Sequence, residues 1–288
     1  MSGPAPSSSN ADAEASTQVP PPPPPPQAIH HELRTASNSA SYLLPTLSSL
    51  VASKPALELL DVGAGSGTIS VTLAQRIPGG KVTAVDLDAG ILPRARAVAA
   101  AAGVENITFS QADAYALPFD DGAFDVTHCH QVLTHLREPW KIISEMLRVT
   151  RTGGSVACRE GDLDSEVVWP ALEGMKSFHD LTAKLIQYRG GSSCSGRQLL
   201  DWALKAGAKR DAVTVTFGTW GYSSEDEKKI WAVAMAQLVR SGMLRKVGLE
   251  SGLATEDELE DMAKAWDAWA ENENATLAML HGEIVIQK

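Results

Sequence analysis

Residues Leu59-Leu60-Asp61-Val62-Gly63-Ala64-Gly65-Ser66-Gly67 place an apolar run directly before three alternate glycines, and the helical pattern of residues 68–77 follows at once. A strand that enters a glycine turn and leaves as a helix restricts the fold more than any other feature of this chain. Glycines there let the backbone approach a ligand closely, and the start of the helix offers it unpaired N–H groups. A dinucleotide fingerprint requires G-x-G-x-x-G after the strand. Here the residue three beyond Gly65 is Thr68 and the spacing is G-x-G-x-G, which speaks against a nicotinamide-dependent oxidoreductase.

The rest of the chain supplies what such a turn needs. Buried-strand patterns over residues 56–62, 81–87, 106–112, 124–130 and 155–160 alternate with helical patterns over 68–77, an Ala-rich stretch ending at Gly103, and about 140–149. Strict alternation implies a parallel sheet covered on both faces. Beyond Gly161 helices dominate: 196–207, 225 to about 246, and 256 to about 269, the last opened by the capping box Thr255-x-x-Glu258. Residues 211–220 and the final stretch from Leu277 have strand character. A helical insertion this long before the last strand is more than a connection, and is expected to form a lid or wall over the site.

Residues 1–28 are mostly Ser, Ala, Pro and Gln with two acidic residues, and Pro20 to Pro26 form an unbroken run. Such a segment buries too little apolar surface to offset its ordering entropy, so a disordered tail with a polyproline II end is expected. Docking of the run in an SH3- or WW-type groove stands beside the plainer reading of a solvated tail, since no basic residue flanks it. With 25 Lys+Arg against 35 Asp+Glu, a net charge of -10 argues against nucleic-acid binding. No apolar run nears the ~20 residues of a membrane span. The first Lys or Arg is Arg34, and Cys129, Cys158 and Cys194 lack disulfide or zinc spacing. A reduced cytoplasmic protein is expected, the nucleus being the alternative.

Asp61-x-Gly-x-Gly-x-Gly, the acidic residue Asp86 closing "VTAVDLD", the string "QADAYALPFDDGAFDV" with Asp113, and "HLREPWKIISEMLRVTRTGG" over residues 135–154 together resemble the class I S-adenosylmethionine-dependent methyltransferases, and more narrowly their UbiE-like, small-molecule branch. The resemblance covers roughly residues 30–160. It implies an α/β, Rossmann-like, seven-stranded, mostly parallel sheet over residues 29–288, with a cofactor-binding core at about 55–160 and a helical C-terminal lid at about 161–272. It implies that S-adenosylmethionine is the cofactor and a small organic molecule the methyl acceptor, of quinone or secondary-metabolite type. Gly63, Gly65 and Gly67 would frame the cofactor's methionine part, with Asp61 near its amino group. Asp86 would accept from both ribose hydroxyls, Leu87 would pack on adenine, and Asp113 and Ala114 would meet the adenine amino group. The N-terminal stretch folds over the cofactor in similar enzymes, which would place Arg34, Asn38 and Tyr42 at the pocket.

Three residues are candidates for chemistry. His128 and His130 share one strand face while Cys129 takes the other. His130 is expected at the end of the fourth strand as a proton acceptor, or else as a buried histidine bonded to a backbone carbonyl. Gln131 beside it would hold the methionine portion. His135 either faces the same pocket or braces the fold. Glu160, with Asp162, follows the fifth strand and could accept a proton or bind a cationic group, or simply occupy a loop. A metal held by His128, His130 and His135 with Glu160 or Asp162 lacks distinctive spacing. Cys129 and Cys158 are read as packing residues. Trp169, Trp220, Trp231, Trp266 and Trp269 would wall a pocket or fill a core. A cofactor-binding regulatory or scaffold protein without catalysis is the competing function.

Overall fold

Strand and helix alternate as the apolar pattern requires. The computed structural model describes residues 29–288, so the proline run and any partner contact through it lie outside the described residues. Three helices come first, α1 (Ile29–Glu32), α2 (Ala36–Ser39) and α3 (Leu44–Ser53). Then follow β1 (Glu58–Val62), α4 (Thr68–Arg76), β2 (Lys81–Asp86), α5 (Leu92–Ala101), β3 (Ile107–Gln111), β4 (Phe124–His130), α6 (Pro139–Val149) and β5 (Thr150–Gly161). The C-terminal part contains β6 (Val167–Trp169), α7 (Glu173–Tyr188), α8 (Ser195–Lys205), β7 (Val213–Tyr222), α9 (Glu225–Arg240), α10 (Met243–Ser251), α11 (Glu256–Glu271) and β8 (Thr276–Gln287).

The strands form one mixed sheet in the order β3-β2-β1-β4-β5-β8, with β7 and β6 also on β8. The first five are mutually parallel, and β8 runs antiparallel to β5, β6 and β7. Strand order reverses between β1 and β4, and in sheets of this kind the crevice at that switch point, beyond the strand ends, is where ligands bind.

Successive side chains on a strand face opposite ways, and the two cores sort accordingly. Leu59, Val82, Val126 and Ala157 pack with Leu47, Ile69 and Leu73 on one face. Leu60, Val62, Val156 and Cys158 pack with Ile142, Met146, Leu199 and Trp202 on the other. Each such aliphatic side chain contributes about 1.5–3 kcal/mol when fully buried. A third core lies among α7, α9 and α11, where Phe178, Leu181, Met235, Trp231, Trp266 and Trp269 are buried. Trp231, Trp266 and Trp269 are therefore core residues, as is Trp202 against the sheet.

The structure departs from expectation in three places. The sheet has eight strands among the described residues, because the three-residue β6 pairs with the first residues of β8. The helix expected from Glu225 to about Lys246 is two helices, broken at Ser241-Gly242, where Ser241 leaves helical geometry. Helix α7 was not anticipated, although Met175, Phe178, Leu181 and Leu185 recur at helical spacing and are all buried. The capping box of Thr255 with Glu258 forms as read, and Ser224 with Glu227 makes a second at the start of α9. Among the described residues no helix is long and apolar enough to cross a membrane.

Candidate active site

The glycine turn joins β1 to α4 at the switch point. Its position is fixed to β2, since the N–H groups of Gly63 and Ala64 both donate to the Val85 carbonyl, at 2.8 and 3.0 Å. Gly63, Gly65 and Gly67 all have positive φ, at 74°, 54° and 81°. Their surroundings differ. A Cβ on Gly63 would lie 2.3 Å from Val132 Cγ2, whereas one on Gly65 would meet nothing within 4 Å. The turn is packed shut on one side and open on the other.

The open side is bordered by the ends of β2 and β3. Asp86 Oδ2 accepts from the Gly65 N–H at 2.8 Å, and Oδ1 accepts from the Asp88 N–H at 2.9 Å. Each oxygen keeps a further acceptor site. Leu87 beside it is 67% exposed, unusual for a leucine following a buried strand. Asp113 forms a local turn by accepting from the Tyr115 N–H at 2.9 Å, and Ala114 rests half-buried on the core. Gln111 Nε2 donates to the Leu87 carbonyl at 2.9 Å and ties the two loops together.

Asp61 lies beneath the turn, 3% exposed. His128 is its neighbour in strand register, and the His128 Nδ1 donates to Asp61 Oδ1 at 2.7 Å. The Ser70 hydroxyl donates to Oδ2. Asp61 thus links β1, β4 and α4 and braces the turn from below, an arrangement that its expected contact with a ligand amino group did not anticipate.

His130 ends β4 and is 7% exposed, with neither ring nitrogen bonded to a protein group. The expected alternative, a histidine held by a backbone carbonyl, does not occur. Burial first, then the charges of Arg34 and Arg159, hold its pKa well below the ordinary histidine value, so the ring is neutral. Gln131 follows with a φ of 54°, a conformation costing a non-glycine residue ~1–2 kcal/mol. Its N–H donates to the Arg159 carbonyl at 2.9 Å, and its side-chain amide lies 2.9 Å from His281 Nε2. Strain of this kind persists only where surrounding contacts hold it, and such positions cluster at sites that act on ligands.

Arg159, Glu283, Thr216 and His281 were not singled out for this region, whereas Arg34, Tyr42 and Trp220 were expected at a pocket. Trp220 on β7 lies 5.9 Å from the His130 ring and 4.6 Å from that of His281. The guanidiniums of Arg34 and Arg159 lie 4.6 and 5.3 Å from its ring centre. Arg159 pairs with Glu283 at 3.0 Å, and Glu283 also accepts from Thr216 at 2.8 Å. Tyr42 points its buried hydroxyl into the same region with no protein partner. Asn38 is instead occupied with local capping, accepting from the Thr35 N–H at 2.7 Å and donating to the Leu33 carbonyl at 2.8 Å. Strand alternation predicts that Arg159 shares a face with His128 and His130. The partners from β7 and β8 became visible only with the fold.

The other chemical candidates lie apart from this group or are already engaged. His135 is exposed in a single 3-10 turn, 133–135. Glu160 is fully buried and accepts from the backbone N–H groups of Val132, Leu133 and Thr134 at 3.0, 2.9 and 3.2 Å. It anchors the turn that covers Gly63, and lies within β5 rather than in a surface loop after it. Asp162 holds Arg197 through two side-chain bonds. Cys129 and Cys158 are register neighbours and fully buried, and their mutual hydrogen bond followed by burial pushes the Cys129 thiol up. Among the described residues no three His, Cys, Asp or Glu side chains are grouped to hold a metal ion.

Glu160 gives a pH signature. Burial outweighs its three backbone bonds and raises its pKa from 4.5 to about 7. Between those values the folded state binds more protons than the unfolded one, so this group stabilises the fold fully below pH 4.5 and loses that contribution as pH rises to about 7. Buried neutral histidines such as His130 act in the opposite sense. The difference between wild type and Glu160→Gln isolates the carboxylate: relative to the variant, wild type is expected to lose about 3 kcal/mol of unfolding free energy across the window, measured by urea titration at each pH. A difference independent of pH would refute the assignment.

A family model described as a methyltransferase domain matches residues 60–158. An uncharacterized methyltransferase of Schizosaccharomyces pombe is 31% identical over 269 residues, covering 90% of this chain and 92% of that protein. A demethylmenaquinone methyltransferase of Roseiflexus castenholzii is 40% identical over 101 residues, 35% of this chain and 41% of that enzyme. Among solved structures, phosphoethanolamine N-methyltransferase 2 of Haemonchus contortus in complex with S-adenosyl-L-methionine superposes with a TM-score of 0.51 at 16% identity, covering 87% of this chain and 53% of that one.

Proposed function

The chain belongs to the class I S-adenosylmethionine-dependent methyltransferase family, and from that premise we propose that it binds S-adenosylmethionine and transfers its methyl group to a small organic acceptor. The observation that carries this reading is the open side of the glycine turn. Gly65 leaves space for close approach, Asp86 is anchored to it with acceptor capacity remaining, and Leu87 presents an apolar face beside that carboxylate. These groups suit a ribose and an adenine, with Asp113 and Ala114 next along the rim. Gln131 and the glycine turn would hold the amino-acid end, and Tyr42 would close over it. The Roseiflexus relative is consistent with an acceptor of quinone type.

When bound, the cofactor supplies an electrophilic methyl carbon. The chain's own task is then to orient the acceptor in line, exclude water and accept a proton where the acceptor carries one. His130 is the group positioned for the last step: it is neutral, its nitrogens have no protein partner, and it adjoins the strained Gln131 at the switch point. His135, exposed in its short turn, would contribute at the rim rather than beside the reacting atoms.

The test is calorimetric titration with S-adenosylhomocysteine and, separately, with NAD. Saturable binding of the first alone supports the reading, and no binding to folded protein would sink it. An acceptor screen that follows S-adenosylhomocysteine formation then addresses His130. His130→Asn is expected to lower kcat by about 10²-fold with S-adenosylhomocysteine affinity unchanged. An equal loss in both quantities would make the histidine a binding or structural residue, and undiminished kcat would remove it from catalysis.

A further inference from the structure

One group of side chains is not accounted for by cofactor binding. Arg34 is 8% exposed, Arg159 2% and His130 7%, and each carries a buried nitrogen without a protein partner: Nε of Arg34, Nη1 of Arg159 and both ring nitrogens of His130. The Tyr42 hydroxyl is in the same condition. Buried polar groups are nearly always hydrogen-bonded, and buried charges nearly always paired. Glu283 pairs with Arg159, while Arg34 has no ion-pair partner among the described residues. The two guanidiniums come from separate elements, β5 and the connection between α1 and α2, and converge on the Trp220 ring. A cluster with two cations, one directly paired carboxylate and several unmet donors is built to complement negative charge.

Its position in the sheet indicates whose charge. Asp86 and Asp113 sit at the ends of β2 and β3, the glycine turn at β1 and Gln131 at β4. Arg159 and Trp220 lie on β5 and β7, farther along the sheet in the same direction. A ligand extending from β3 to β4 leaves the β5 to β7 side for the second reactant. Resting on the methyltransferase reading, we propose that Arg34, Arg159 and Trp220 bind an anionic group, a carboxylate or an ionised hydroxyl, on an aromatic or otherwise flat methyl acceptor. The indole gives such a ring a stacking face, the guanidiniums fix its charged end, and His130 lies beside it. The desolvation that lowers the Arg34 pKa to about 9 is the cost an incoming anion would relieve.

The experiment uses the full chain saturated with S-adenosylhomocysteine and titrates it with benzoate and 2-naphthoate against their neutral amides. At least one acid is expected to bind about tenfold or more tightly than its amide, the difference of one charge-assisted hydrogen bond. Arg34→Met and Arg159→Met are each expected to reduce that preference to within about twofold. Arg159→Lys should restore part of it, and Arg197→Met, at an exposed arginine, should leave it intact. Acids and amides that bind alike would overturn the proposal, as would a preference that survives in both methionine variants. The same holds if the variants weaken S-adenosylhomocysteine but not 5′-methylthioadenosine, which lacks the amino-acid end, because the donors would then serve the cofactor's own carboxylate. Should Arg159→Met fail to fold, Arg34→Met decides, since that residue lies off the sheet. Failure of S-adenosylhomocysteine to bind wild type strikes the proposed cofactor and activity instead, and the acid-over-amide comparison is then made on the unloaded protein.

Discussion

Replacing Asp86 with alanine is expected to weaken S-adenosylhomocysteine binding by about 10²-fold or more while leaving the protein folded. Hydrogen bonds to a charged group are worth about 1.5–3 kcal/mol each, and a carboxylate at the end of β2 is placed to accept two from a ribose. The variant also removes the acceptors for the N–H groups of Gly65 and Asp88, so the open side of the turn loses its anchor as well as its partner. Asp86→Asn separates the contributions, because one amide oxygen can still hold the turn but can no longer take both hydroxyls as a carboxylate does. Calorimetry on wild type and both variants, with circular dichroism as the folding control, checks this. An alanine variant within roughly threefold of wild type would remove Asp86 from the binding site.

The second large effect contrasts two glycines two residues apart. Gly63→Ala puts a Cβ 2.3 Å from Val132 Cγ2 at a φ of 74° and is expected to lose stability by about 2–4 kcal/mol. Val132→Ala in the same chain should recover part of that loss, since the clash is with that methyl group. Gly65→Ala, at a φ of 54°, meets no atom within 4 Å and is expected to lose only about 1 kcal/mol from backbone strain. Its new methyl group enters the open side, so its main consequence is expected in ligand affinity. Urea unfolding and S-adenosylhomocysteine titration on both variants give a two-by-two result. The reverse pattern, with Gly63→Ala folded but unable to bind and Gly65→Ala unstable, would contradict the picture of a turn closed on one face and open on the other.

What could be read from the sequence follows from what is local. The glycine turn, the acid closing β2 and the strand ending in His130 are set by contiguous residues whose spacing carries its own geometry. The same holds for the capping box at Thr255. The break at Ser241-Gly242 and the stripe of Met175, Phe178, Leu181 and Leu185 were local signals as well, and were legible without being read. The charged group around Trp220 was not, because it assembles residues from the α1 to α2 connection, β5, β7 and β8, whose pairing no short-range pattern fixes. Asp61 and Glu160 show the same limit: their types suggested contact with a ligand, but His128, which bonds Asp61, and the three backbone N–H groups that bond Glu160 come from elements 26 or more positions away. Ser70, the other partner of Asp61, lies only nine residues on.

The central place of β8 bears on how the chain is made. Ser155 of β5 and Gln287 of β8 are bonded across 132 positions. At a ribosome's pace of roughly 5–20 residues per second, the outer edge of β5 therefore waits on the order of ten seconds for its partner. An uncovered parallel edge is a template for another chain's strand. The third core cannot shield it early, because α11, which supplies Trp266 and Trp269, is translated only just before β8. Slower elongation through residues 161–275 is therefore expected to lengthen the exposure of a strand edge lying well upstream.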